Sequence, residues 1–430
     1  MTPVYFWFRR DLRLEDNHGL FQALSSGKPC IPVFIFDTRI LSELPKDDAR
    51  VSFIHRQLAA MKKRLQEMGT DLIVAYDTPE AAWNTMLQKH GIGDVFCNED
   101  YEPYAAERDS SINKLLAQHG AQLHAFKDQV VKRYDENLKS DGSPYTVFTP
   151  YHKNWLHHFQ LSDINPYPSE NLMGHFKPMD SEPMIRLSEM GFTQSTLSIP
   201  EADLSKAKLN NYGNTRDIPS ISGTSRASIH LRFGTISIRH AYKVALEHSD
   251  KWLAELNWRE FYMQILAHFP RIVHESFRPI YDRIEWRNNA QEIEAWKQGK
   301  TGYPMVDAGM RELNATGFMH NRVRMVVASF LTKHLLVDWR IGEAYFAEKL
   351  LDFELASNNG GWQWAAGSGV DAAPYFRVFN PTLQAQKFDP KALYIKKWVP
   401  EFGSFSYQQP IVNHEFARKR CLEVYTKAIK

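Results

Sequence analysis

Val4-Tyr5-Phe6-Trp7-Phe8 runs straight into Arg9-Arg10-Asp11-Leu12-Arg13-Leu14-Glu15-Asp16-Asn17. An unbroken apolar run with no polar alternation fits a strand buried on both faces. Working outward, Ile31–Phe36, Leu72–Ala75, Asp94–Cys97 and Gln122–Phe126 read the same way. Between them, Asn17–Leu24, Ser52–Met68, Pro79–His90 and Ala106–His119 have the mixed pattern of amphipathic helices. This alternation predicts an α/β fold over residues 1–130, a doubly wound, Rossmann-like parallel sheet. Ligands of such sheets sit outside the carboxyl ends of the strands. Here the first strand meets a charged segment instead of a glycine loop, so the GxGxxG dinucleotide fingerprint is missing. Gln298-Gly299-Lys300-Thr301 imitates the end of a P-loop, but Glu294 stands where its first glycine belongs.

Residues 131–205 lose periodicity and scatter prolines, tyrosines and serines, as in Pro166-Tyr167-Pro168-Ser169. They read as a long linker. From 206 to 430 the pattern turns helical, with Ile238–Leu246, Lys251–Phe269, Asn321–Leu336 and Glu343–Leu351 as examples, and an all-α domain is expected. The 430 residues suffice for two or three domains. A net charge of +2 means that any nucleic-acid role must rest on a local basic surface. Cys30, Cys97 and Cys421 form no CxxC, and no HExxH occurs, so no metal is expected and a reducing compartment fits. Arg9 and Arg10 come too early for a signal peptide, and no apolar run approaches the ~20 residues of a membrane span. The reading is a soluble, intracellular protein.

Four constellations could carry chemistry. Tyr212 with Gly223-Thr224-Ser225-Arg226-Ala227-Ser228 suits a phosphate cradle at a helix start, or merely a helix cap with a solvated arginine. In Trp252-Leu253-Ala254-Glu255-Leu256-Asn257-Trp258, Glu255 and Trp258 share a helix face. A carboxylate beside an indole could hold a nucleobase, or both could belong to an ordinary amphipathic helix. Asn321, Arg322 and Met325 can lie on one side of a helix start, with Arg324 free to meet Asp352 or Glu354. Finally, Asn358-Asn359-Gly360-Gly361-Trp362-Gln363-Trp364 makes a poor helix and a poor strand. It suits a loop wrapping a flat ligand, or a glycine turn beside two core tryptophans. No GxSxG nucleophile motif appears, which points to chemistry carried by a cofactor.

Together these segments, with Trp258-Arg259-Glu260, Gly302-Tyr303-Pro304-Met305-Val306-Asp307-Ala308, Met319-His320-Asn321-Arg322-Val323-Arg324-Met325, Asp371-Ala372-Ala373-Pro374-Tyr375-Phe376-Arg377 and the opening Trp7–Arg13, resemble the photolyase/cryptochrome family. The resemblance runs from residue 5 to about 400. Its motif pattern is most similar to the bacterial class I cyclobutane pyrimidine dimer photolyases.

That resemblance implies FAD in the helical domain. It implies that Tyr212, Thr224, Ser225, Arg226 and Ser228 hold its phosphates and ribityl chain. Trp252 would line the cofactor site, Arg324, Asp352 and Glu354 would meet the flavin and its chain, and Asn358 would face flavin N5. It implies a partner, UV-damaged DNA, whose dimer is flipped into a central pocket. There Glu255 would bond the base edges, Trp258 and Trp364 would pack on the joined pyrimidines, and Asn321, Arg322 and Met325 would line the walls. Arg216, Arg377 and Gln384 would lie near DNA. Trp362, Trp339 and Trp286 would be the inner, middle and outer members of an electron relay. The implied activity is light-driven splitting of cyclobutane dimers by an electron from excited reduced FAD, in a cytoplasmic monomer. A blue-light sensor of the cryptochrome kind is the alternative. Phe318 stands where many relatives have Trp. Ala105 stands near where a folate-binding relative would place a second glutamate. A second, antenna chromophore could therefore be a folate, a deazaflavin or a flavin, or be absent.

Overall fold

The computed structural model describes residues 2–430. Five strands form one parallel sheet: β1 (Val4–Phe8), β2 (Cys30–Asp37), β3 (Ile73–Asp77), β4 (Val95–Asn98) and β5 (Leu123–Phe126). Their order is β3-β2-β1-β4-β5, so the winding reverses between β1 and β4. β1 and β2 are buried along their whole length, as their unbroken apolar runs require. The crossovers are helices His18–Leu24, Ala49–Glu67, Pro79–His90 and Pro103–Gln118. On one face of the sheet Trp83 meets Tyr5 and Trp7 edge to face, at 5.4 and 5.6 Å between centroids.

The charged segment after β1 is an ionic lattice. Arg13 pairs with Asp128 at 2.6 Å, and Arg239 pairs with Asp128 and Asp16 at 2.7 Å each. Burial alone would raise the Asp128 carboxyl, but the two guanidinium groups hold it below the usual range. Asn98, at the end of β4, donates to Asp11 (2.6 Å) and Asn17 (2.8 Å). Gly234, at φ 62°, lies so close to the Arg10 carbonyl that a Cβ would overlap it. The arginine-rich opening therefore fastens the strand end where a phosphate loop would otherwise lie.

Two compact units interleave along the chain. One comprises the N-terminal residues through Glu136, Trp155–Ala202 and Arg226–Glu247; the other comprises Asn137–Asn154, Asp203–Ser225 and His248–Lys430. Helix Phe148–His158 lies within the stretch that reads as linker. Its Pro150 falls in the first turn, where a missing N–H costs no helical bond.

The expected loop at Asn358–Trp364 is instead the middle of helix Leu355–Ala366. Neither Gly360 nor Gly361 adopts a positive φ. The glycines permit close approach: a Cβ on Gly360 would overlap the Tyr262 ring of helix Asp250–His268. Trp362 fills the opposite gap, where a Cβ on Gly342 of helix Trp339–Lys349 would overlap the indole. Burial of Ala356, Asn359, Gly360, Trp362, Gln363 and Ala366 against neighbouring helices overrides the poor propensity of the segment.

Gly361 is the contrast, since nothing lies within 4 Å of its notional Cβ. Gly360→Ala should destabilise the protein by about 1–3 kcal/mol through overpacking. Gly361→Ala should stabilise the flavin-free protein by about 0.5–1 kcal/mol through helix propensity. Thermal melts of the two apoproteins should move in opposite directions.

Candidate active site

Three helices of the second unit leave one face each incompletely packed, and those faces carry most of the expected site. On Asp250–His268, Trp252, Leu253, Leu256 and Asn257 are buried, while Glu255, Trp258, Arg259 and Tyr262 are only partly covered. On Leu355–Ala366, Asn358 and Trp364 are partly covered and Gly361 is exposed. On Asn321–Ser329, Val323, Val326 and Val327 are buried; Asn321 is exposed, and Arg322, Arg324 and Met325 are half-buried. Spacings of three and four place Glu255, Trp258, Arg259 and Tyr262 on one face of their helix, and Asn321, Arg322 and Met325 on one face of theirs, while Arg324 projects differently.

Two cations and two carboxylates gather there. Arg216 bonds Glu255 at 2.5 Å, and Arg322 bonds Asp217 at 2.9 Å. Burial raises the Glu255 carboxyl above its ordinary value, and Arg216 opposes that rise. The Arg216 guanidinium also lies 5.7 Å from the centroid of the buried Tyr212 ring. Arg322 covers the Phe388 ring at 4.3 Å and approaches the Met325 sulfur at 3.6 Å. The Tyr262 hydroxyl is pushed up, first by burial and then by Asp371 and Glu255.

A second set of polar pairs lies beside the first. Arg324 bonds Asp352 at 2.9 and 3.1 Å, while Glu354 accepts from Arg259 (2.9 Å) and the Ser357 hydroxyl (3.0 Å). Of the two carboxylates open to Arg324 in the sequence, it takes Asp352. Asn358 donates its amide hydrogens to the Glu343 backbone carbonyl (3.1 Å) and carboxylate (2.8 Å), leaving Oδ1 as the group it can offer elsewhere.

Comparison with known proteins gives this arrangement a family. Residues 4–171 match the family model described as DNA photolyase, and residues 252–406 the one described as the FAD binding domain of DNA photolyase. The chain belongs to the DNA photolyase family. A deoxyribodipyrimidine photo-lyase of Halobacterium salinarum is 37% identical over 480 residues, covering 98% of each chain. The crystal structure of a bacterial class III photolyase from Agrobacterium tumefaciens has a TM-score of 0.87 at 33% identity, covering 100% of this chain and 98% of that one. An archaeal photolyase structure from Sulfolobus tokodaii with two FAD molecules has a TM-score of 0.82 at 34% identity, covering 99% and 100%.

The FAD-binding domain thus has its cofactor by family, and the residues present fit a flat ring. Gly361 leaves open space on a helix face bordered by Asn358 and Trp364. Trp252 is buried in the first turn of its helix. Ser225 is buried, and Thr224 precedes it in the segment Asp203–Ser225 of the second unit. Arg226, at φ 56°, caps helix Ala227–Arg232, whose Ser228 is exposed; both belong to the first unit.

The three tryptophans expected to form a relay share one apolar neighbourhood. Trp362 and Trp339 are 2% and 1% exposed within a single cluster, and half-buried Trp286 packs against it. The indole N–H groups of Trp362 and Trp339 are buried without an acceptor. Trp364 packs against the same cluster with Phe379 at 6.4 Å, and Arg324 lies over the Phe318 ring at 5.7 Å. Arg377 is exposed, and its carbonyl accepts from Lys333 at 3.0 Å. Gln384 lies on helix Pro381–Phe388 with a buried Oε1 that has no partner. Sequence reasoning missed Asp217, Tyr262 and Glu343; none stands in a local pattern that marks it.

Glu343 generates a pH test. Burial raises its carboxyl above the ordinary carboxylate value, so the ionised form is disfavoured in the folded state. Stability is therefore gained as pH falls through the folded pKa and penalised above it. Glu343→Gln keeps the acceptor for Asn358 without the charge. It should raise the melting temperature at pH 7, and the gain should vanish below about pH 4.5. Melts across that range check this.

Proposed function

We propose that this chain is a light-dependent DNA-repair enzyme that splits cyclobutane pyrimidine dimers. The observation that carries the reading is the convergence of half-open polar and aromatic positions on three otherwise buried helices, in a chain of the DNA photolyase family. Deoxyribodipyrimidine photo-lyase is the name of its relatives, and the same activity suits this site. Fully reduced FAD, when bound, supplies light absorption and a transferable electron. The remaining tasks fall to the protein.

Glu255 receives the base edges of a flipped dimer, exchanging its bond to Arg216 for bonds to substrate. Burial favours its neutral form, and a neutral carboxyl can donate toward negative charge arising on the pyrimidines. Trp258 and Trp364 supply aromatic surface for the two joined bases. Asn321, Arg322 and Met325 line the pocket, and Arg216, once released, joins Arg377 and Gln384 near the DNA backbone and displaced strand. Tyr212, Thr224, Ser225, Arg226, Ser228, Trp252, Arg324, Asp352 and Glu354 hold the cofactor. Asn358, its N–H groups engaged by Glu343, offers a carbonyl oxygen to an N–H of the bound ring. Trp362, Trp339 and Trp286 carry electrons inward to restore the reduced state. No helix of the described residues is long and apolar enough to cross a membrane. The enzyme is assigned as a cytoplasmic monomer. The antenna position is left to a folate, a deazaflavin or a second flavin; two FAD molecules in the Sulfolobus photolyase favour the last.

Incubation with dimer-containing oligothymidine under blue light and reductant should remove dimers. Intact dimers beside bound, reduced flavin would overturn the reading and favour the sensor alternative. Glu255→Ala should cut the repair rate about ten-fold or more with FAD retained; loss of FAD instead would refute this role for Glu255. Trp286→Phe should slow photoreduction and spare repair by pre-reduced enzyme, and an unchanged photoreduction rate would remove Trp286 from the relay.

A further inference from the structure

Phe148 has no part in the site described so far. It opens helix Phe148–His158, and its ring lies flat on the Trp258 indole, with centroids 3.8 Å apart and planes 9° apart. Two more rings bound the indole: Phe261 at 5.6 Å and 84°, and Tyr262 at 5.5 Å and 35°. Phe148 is 8% exposed, while Trp258 stays half-buried. One face of the indole is thus covered by a ring of this chain, and no second ring among the described residues stacks on it.

Phe148 is itself held firmly. Its backbone N–H, an orphan of the first helical turn, donates to the Asp371 carboxylate at 3.2 Å. Asp371 adopts a left-handed φ of 44°, so the fold of the 371–377 segment aims it there. Phe261 meets Phe148 edge to face at 5.8 Å. One turn along the helix, the His152 ring lies at 5.4 Å and 12° from Phe148, and the amide of fully buried Asn257 bonds its Nδ1 at 2.7 Å.

We propose that Phe148 is a positioning residue for substrate: it fixes the plane of Trp258 so that the uncovered part of the indole is presented, already ordered, to a pyrimidine of the flipped dimer. This rests on the reading of Trp258 as a lesion contact. An indole free to change rotamer would have to be ordered at each binding event, whereas one clamped by a parallel ring has been ordered during folding. The same stacking attraction that holds Phe148 on one side is available to a base on the other.

The test measures binding by the FAD-loaded protein, in the dark, to dimer-containing and undamaged oligothymidine. Phe148→Leu should weaken dimer binding about 3- to 10-fold. Affinity for undamaged DNA, flavin content and photoreduction rate should stay unchanged. Phe148→Tyr, which keeps the ring, should retain full dimer affinity. In a Trp258→Ala background Phe148→Leu should have no further effect, because it acts through the indole. Unchanged dimer affinity in Phe148→Leu, or an equal loss with Trp258 already removed, overturns the proposal. Should the Leu variant lose FAD, Phe148→Met fills the volume without a ring and faces the same criteria. Absence of any dimer preference in the unaltered protein overturns the lesion reading of Trp258 and this proposal together, before any variant is made.

Discussion

The contact on which the second unit depends is the seating of helix Leu355–Ala366 at Gly360, where the Tyr262 ring occupies the room a Cβ would need. Close approach of the two helices lets one present Glu255 and Trp258 and the other Asn358 and Trp364. The opposite side of the same helix buries Trp362 against Gly342. One helix thus has a packed side that anchors it and a half-open side that carries the proposed site. Interiors packed to crystal-like density transmit a misfit at either side to the other.

Charge is handled differently in the two units. In the first, buried arginines and carboxylates are densely paired around the β1 and β4 strand ends: Asp128 receives Arg13 and Arg239, and Asp109 receives Arg9 and Arg108. In the second, the Arg216–Glu255 pair remains 25% and 30% exposed, and Arg322–Asp217 is 18% and 43% exposed. Half-covered pairs can exchange partners at modest cost, while a densely paired buried lattice cannot. The first arrangement suits a scaffold and the second a site that must admit a ligand.

The five strands were legible because buried parallel strands are written as unbroken apolar runs, and their predicted spans differ from the observed ones by only a residue or two. Helix Leu355–Ala366 was not, because paired glycines and amides have low helix propensity and the packing that overrides it comes from residues far away in sequence. Helix Phe148–His158 was obscured by Pro150 and by the proline-rich stretches around it. The proposed site residues were read through the family resemblance, as a set of positions. Their partners were not: Glu343 for Asn358, Arg259 for Glu354 and Phe148 for Trp258 are facts of tertiary geometry that no local motif encodes.

The tryptophan relay has a directional property in its solvation. Trp362 and Trp339 are almost wholly buried with no acceptor for their N–H groups, whereas Trp286 is half-open. A positive hole on either inner indole is poorly solvated and finds no neighbour to take its proton; on Trp286 it reaches a more polar medium. Solvation alone tilts the proposed relay outward for holes and inward for electrons. The burial gradient acts as a rectifier, and the Arg340 guanidinium, 4.6 Å from the Trp339 ring centroid, adds to the cost of a hole on the middle indole.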